Sequence, residues 1–127
     1  MKKTVTVLIE NAKGEFLMLL RDDKPTIPYP NQWYIPGGIM EEGETPEEAI
    51  KREMLEELEL DLSPLKFLKT YYWPEKVEHV FHIHLDLNPA LVKLHEGQKI
   101  QFFSKEELLK MKLAFHDSEI ISEFFGS

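Results

Sequence analysis

Glu53, Glu56 and Glu57 lie in "GGIMEEGETPEEAIKREMLEELEL", the stretch from Gly37 to Leu60, which sets nine Glu against only Lys51 and Arg52. Thr45 before Pro46, with Glu48 three residues after Thr45, marks a helix start by an N-cap, a proline in the first turn and a capping box. Ile50, Met54 and Leu58 then recur every four residues as an apolar stripe for packing on a sheet. On a helix turning about 100° per residue, the three carboxylates fall within an arc of roughly 100° beside that stripe. Like charges at this spacing cost roughly a few tenths of a kcal/mol when solvated and more when partly buried. Two readings fit. One is a solvated acidic helix face. The sharper one is a site for a hard divalent cation such as Mg²⁺ or Mn²⁺, which takes oxygen ligands and keeps several waters. Gly37 and Gly38, in "PGG" just upstream, would let the backbone approach a metal or a phosphate closely.

The elements that must position this helix are legible as changes of periodicity. Thr4 to Ile9 and Phe16 to Leu20 read as a hairpin around the polar turn "ENAKGE". "RDDKPTIPYPNQ" carries Pro25, Pro28 and Pro30 and reads as a surface loop. Trp33 to Ile35 is a short strand that ends at the glycines. Leu65 to Tyr72 and Val77 to Leu87 are apolar runs joined by "WPEK", and Ile100 to Phe103 is a further strand. Ser104 with Glu107 caps a helix to about Lys112, and Asp117 to Phe125 has the spacing of a last one. Mixed strands with helices between and after them predict an α/β (α+β) sandwich with a mixed β-sheet, in one domain over residues 1–127.

A net charge of -8 and a pI near 5.1 argue against a grip on polymeric nucleic acid, which needs a basic footprint. With no Cys, disulfide and thiolate chemistry are excluded. The N-terminal apolar run is too short for a signal peptide or a spanning helix, so no membrane role is expected and a cytoplasmic location is the default.

Gly38, Glu44, Arg52, Glu53, Met54, Glu56, Glu57 and Leu60 occupy eight of the nine defined positions of G-x5-E-x7-R-E-U-x-E-E-x-G-U, where U is a bulky aliphatic. The segment therefore resembles the Nudix box, and "WYIPGG" is similar to the strand that leads into it. The chain is identified as a member of the Nudix hydrolases, with a Nudix-type α/β/α sandwich expected. The one departure is Glu59, where the box has a Gly that would end the helix in a left-handed conformation.

The resemblance implies metal-dependent hydrolysis of a nucleoside diphosphate linked to another group. It implies Glu53, Glu56 and Glu57, with the carbonyl of Gly37 or Gly38, as ligands of Mg²⁺ or Mn²⁺, and Arg52 as the group that orients Glu53. Glu44 would brace the loop. Glu96 stands where the family often has a further acid, against the plainer reading of a surface loop residue. The compact length resembles the MutT-like nucleoside triphosphate pyrophosphohydrolases, acting as a monomer or homodimer. ADP-ribose, nucleotide-sugar or dinucleoside polyphosphate hydrolysis, and a non-catalytic nucleotide-binding module, are the alternatives.

Substrate contacts are less sharply marked. Arg21 would clamp a phosphate, or is a lone surface Arg. Trp33, Tyr34, Tyr71, Tyr72 and Trp73 offer stacking faces, although aromatics on strands are usually core. His82 and His84 share a strand face with Val80 and either line the groove or serve structure. Asp117 lies where compact MutT-like members read a purine edge, while its helix-starting position favours an N-cap.

Overall fold

Val5, Val7, Leu8 and Ile9 are all fully buried, and a strand covered on both faces reads as a continuous apolar run. They belong to β1 (Lys2–Glu10), the central strand of a mixed seven-stranded sheet in the computed structural model, which describes residues 1–126. The chain continues through β2 (Phe16–Leu20), β3 (Trp33–Tyr34), β4 (Gly37–Ile39), α1 (Pro46–Leu58), β5 (Lys66–Tyr72), β6 (Lys76–His84), a 3₁₀ turn at Pro89–Leu91, β7 (Lys99–Phe103), α2 (Lys105–Lys110) and α3 (Asp117–Phe124). The main strand order is β3-β2-β1-β6-β5, with β4 also on β1 and β7 also on β2. β1 and β6 run parallel from Lys2 opposite Lys76 to Glu10 opposite His84, and the other pairings are antiparallel.

The two faces of the sheet hold separate cores. Val5, Val7, Ile9, Leu17 and Leu19 pack with Ile50, Met54 and Leu58 of α1. Leu8, Phe16, Met18 and Val80 pack with Leu108 of α2 and with Ile120 and Ile121 of α3. The expected sandwich is present, and so is the helical stripe of α1, each member of which contributes roughly 1.5–3 kcal/mol by its burial. Both capping boxes form: Thr45 with Glu48 on α1, and Ser104 with Glu107 on α2. Among the described residues no helix is long and apolar enough to cross a membrane.

Three expectations change. The β1–β2 hairpin meets only at Glu10 opposite Phe16, because β1 spends its length on β6 and β4 while β2 pairs along its whole length with β7. The glycines are not the loop after a strand: Gly37–Ile39 is itself β4, paired with Thr4–Thr6 of β1. A side chain on Gly37 would put its Cβ 2.1 Å from the Val5 carbonyl, so glycine is required for that pairing. α2 ends at Lys110 rather than near Lys112, and α3 begins at Asp117 itself.

Glu59 adopts the conformation that the box glycine would have, with φ 54° and ψ 35°. Its N–H donates to the Leu55 carbonyl at 3.1 Å, and the next N–H, of Leu60, reaches back to the Met54 carbonyl at 3.1 Å. This is the closing pattern of a helix with a left-handed cap. The side chain is not idle: its carboxylate meets His95 Nε2 at 2.5 Å and Lys93 Nζ at 3.9 Å. Those pairs are exposed and weak, whereas a left-handed backbone is strained for any residue with a Cβ. Glu59→Gly is therefore expected to raise the thermal midpoint by a few degrees, while Glu59→Ala, which keeps the strain and loses the pairs, gives no rise. Thermal unfolding of both variants checks this, and a lower midpoint for the glycine variant would contradict the strained reading.

Candidate active site

Arg52 organises the acidic face of α1. Its Nε and Nη2 hold both oxygens of Glu44 at 2.6 and 3.0 Å, Nη1 meets Glu53 at 3.1 Å and Glu56 at 3.0 Å, and Nη2 also donates to the Ile39 carbonyl at 3.1 Å. Glu44 accepts in addition from the Glu41 N–H at 2.7 Å, which folds the loop before the helix onto the same cation. Its carboxyl group is held below the usual range by the Arg52 hydrogen bonds and the Glu41 N–H. Glu56 lies on Arg52 at the surface and does not line the groove beside α1, whereas Glu53 and Glu57 do.

That groove encloses about 440 Å³, within the range of small-molecule sites. Glu57 Oε2 is buried in it with no hydrogen-bond partner. Burial first, then Glu96, then Glu53, drive the Glu57 carboxyl far above the ordinary carboxylate range. Glu96 reaches the groove on the loop before β7. His95 N–H in that loop donates to the Glu57 carbonyl at 2.9 Å, Gln98 N–H donates to the Leu20 carbonyl at 2.8 Å, and Gly97 turns between them at φ 85°. β4 closes on Glu53, for a Cβ on Gly38 would stand 2.2 Å from Glu53 Cδ. An orphaned buried oxygen, an oxygen-only donor set and a backbone that leaves room only for the carboxylate are features that a hard divalent ion fits.

Arg21 also lines the groove; its Nε donates to the Pro28 carbonyl at 2.9 Å and its guanidinium lies 4.9 Å from the Phe115 ring centroid and 5.7 Å from that of Tyr34. Gln98 Nε2 ties this residue to the Glu96 loop, donating to the Arg21 carbonyl at 2.7 Å and to Asn31 Oδ1 at 2.9 Å. The floor is a buried polar set at the start of β1 and β6. Thr6 Oγ1 donates to Glu78 Oε2 at 2.5 Å, Trp73 Nε1 donates to Glu78 Oε1 at 3.0 Å, and Lys76 Nζ lies 3.6 Å from Glu78 Oε1. Asp117 completes it. The expected N-cap role is replaced, since His116 holds the cap position without a side-chain bond and Asp117 accepts the Ile35 N–H at 2.8 Å. An unpaired strand N–H beside the groove takes precedence over the helix end.

The structure thus brings Arg21, Gly37, Gly38, Glu53, Glu57, Glu96 and Asp117 to one groove and leaves Arg52 behind it as their support. Of the candidate stacking residues only Tyr34 lines it, and His82 and His84 do not. The sequence reading missed Thr6, Lys76, Glu78 and Phe115. Glu78 carried a usable signal, being two residues before Val80 and therefore on a core-facing side of its strand. Phe115, left-handed at φ 55° in a loop, carried none.

A family model described as NUDIX domain matches residues 1–124. Among curated proteins, an RNA pyrophosphohydrolase of Actinobacillus succinogenes is 27% identical over 94% of this chain and 53% of its own length. One of Baumannia cicadellinicola is 32% identical over 80% of this chain and 58% of its own length. The chain spans about half the length of these curated relatives. Among solved structures, the MutT protein of Methanosarcina mazei Go1 superposes with a TM-score of 0.78 at 27% identity, covering 98% of this chain and 91% of that one. The NUDIX domain of Shewanella oneidensis NrtR, solved with ADP-ribose, shares the fold at a TM-score of 0.78 and 17% identity, over 97% and 85% of the two chains.

Asp117 gives the groove a pH dependence. Burial first, then the charge of Glu78, raise its carboxyl from 3.8 to about 8, against the opposing pull of the Ile35 N–H and Lys76. The folded chain then holds a proton that the unfolded chain releases, so stability is lost as pH rises from 3.8 to about 8. Asn matches the neutral acid in shape and still accepts from Ile35. Asp117→Asn should therefore melt progressively higher than wild type across that interval, and a gap that stays constant with pH would refute the assignment.

Proposed function

The chain belongs to the Nudix family, and on that premise we propose that its groove hydrolyses a nucleoside triphosphate to the monophosphate and pyrophosphate with the aid of Mg²⁺ or Mn²⁺. The observation that carries this reading is the buried, partnerless Glu57 oxygen, interacting with Glu53 and Glu96 in a groove that Arg21 also lines. Glu53 and Glu57 would hold the cation, with the Gly37 carbonyl adding an oxygen and Glu56 joining them by turning from Arg52. A divalent ion bound there supplies charge that polarises the phosphoryl oxygens and lowers the pKa of the attacking water.

The chain's own groups divide the remaining work. Arg52 fixes Glu53 by a charge-assisted hydrogen bond, so that its free oxygen keeps one direction. Glu96, on a loop pinned to α1 and β2, would take the proton of the attacking water. Arg21 faces the phosphates, and the polar floor with Asp117 takes the base. A groove of about 440 Å³ suits one nucleotide, and the net charge of -8 disfavours a long polyanion even though curated relatives are named RNA pyrophosphohydrolases. A monomer or homodimer in the cytoplasm is consistent with this use.

Glu57→Gln is expected to lower kcat by about 10²-fold or more, the scale on which loss of a group acting on transition-state charge is felt. Its thermal midpoint should hold or rise, since Gln matches the protonated acid in shape without the cost of holding a proton at neutral pH. Calorimetry should show weaker Mg²⁺ binding in the same variant. Unchanged turnover and unchanged Mg²⁺ affinity would reject the catalytic assignment. The substrate is decided by kcat/KM for a deoxynucleoside triphosphate, ADP-ribose, a nucleotide sugar and a dinucleoside polyphosphate under one Mg²⁺ condition. Preference for any of the last three would overturn the triphosphate reading, and tight binding without turnover would favour a non-catalytic nucleotide-binding module.

A further inference from the structure

The far end of β1 and β6 gathers a second set of donor atoms. Glu10, His82 and His84 each offer one, and all three lie within 4.8 Å of one another. The parallel register is the cause. Leu8 stands opposite His82 and Glu10 opposite His84, and residues two apart on a strand share a face, so the three side chains leave the sheet on one side. They continue the face that carries Leu8 and Val80 under α3, and the His82 ring lies 5.4 Å from Phe124 and edge-on to His84 at 4.6 Å. The side chains of His82 and Glu10 are only 11% and 21% exposed, while His84 is open to solvent. Thr6, the groove-lining residue of β1 nearest to it, is four residues from Glu10, or roughly 13 Å along the strand. The cluster is separate from the acidic groove.

We propose that Glu10, His82 and His84 form a second metal site, for a borderline divalent transition ion of the Zn²⁺ type. The donor sets differ in kind: Glu53, Glu57 and Glu96 present oxygen alone, which suits Mg²⁺, whereas two imidazoles and one carboxylate suit Zn²⁺ and its neighbours among transition ions. The distances are compatible. Ligand atoms about 2.0–2.1 Å from a tetrahedral ion stand roughly 3.4 Å from each other. His82 Nε2 and Glu10 Oε1, now hydrogen-bonded at 2.8 Å, need only part slightly, and the widest separation, at most 4.8 Å, closes by a rotation of the exposed His84. Binding requires both imidazoles neutral, so any proton held between His82 and Glu10 leaves as the ion enters. Asp86, two residues beyond His84, accepts the Ala12 N–H at 2.7 Å and is not among the three converging donors. The site is of the open type that can also take a ligand.

The test is equilibrium dialysis of the full chain against Zn²⁺ with Mg²⁺ in large excess, so that the acidic groove is occupied by the harder ion. Wild type and Glu57→Gln should each retain one Zn²⁺. His84→Ala, altered only at an exposed residue, and Glu10→Gln should bind about tenfold more weakly or worse. Circular dichroism confirms that each variant folds. Co²⁺ in place of Zn²⁺ should give visible absorption in wild type that is lost in His84→Ala. Zn²⁺ retained by His84→Ala but lost from Glu57→Gln would place the ion in the groove and overturn the proposal, as would equal binding by all four proteins. The Glu57→Gln arm keeps this outcome distinct from the fate of the hydrolase reading.

Discussion

The guanidinium of Arg52 is the contact on which the acidic site depends. It meets Glu44, Glu53, Glu56 and the Ile39 carbonyl at once. Only arginine presents enough donors in one rigid plane to do so, and a lysine in its place would leave most of these acceptors to repel one another. One side chain thereby joins the loop before α1, two turns of the helix and the end of β4. Glu57 stands outside that arrangement, and burial, with Glu96 and Glu53 beside it, raises its carboxyl instead. Most of a run of like charge is thus tied to one cation, and a buried oxygen of Glu57 is left without a hydrogen-bond partner.

What could be read from the chain alone was what local chemistry determines. Thr45, Pro46 and Glu48 announce α1 without reference to anything distant, and the four-residue recurrence of Ile50, Met54 and Leu58 fixes which side faces the sheet, and therefore where the carboxylates point. The floor of the groove is different in kind. Thr6 and Glu78 are 72 positions apart and meet only through the parallel register of β1 and β6, which no short-range pattern encodes. Asp117 shows the conflict directly: its local chemistry suits a helix cap, and a tertiary demand, the Ile35 N–H, took the carboxylate instead. Glu59 shows the converse. The helix ends there in a left-handed turn although the residue is not glycine, because the path of the chain toward Leu60 and the core requires it.

The sheet face under α3 is polar at both ends and apolar in the middle. Thr4, Thr6 and Glu78 open to the groove, Leu8 and Val80 form the core, and Glu10, His82 and His84 emerge at the far end. A strand pair nine residues long is enough to separate two chemically unlike ends by a dry layer, so that each end keeps its own electrostatics.

Gln98 has a consequence for motion. Its side chain holds the Arg21 carbonyl and Asn31, and its backbone holds Leu20, while Glu96 lies two residues before it. The proline-containing loop and the loop of Glu96 therefore share a clasp, and neither can swing outward without breaking the bonds that position the other. Local opening at this edge becomes a cooperative event rather than two independent ones. A displacement of the segment around Arg21 is therefore felt at Glu96, and the two edges of the groove share one opening equilibrium.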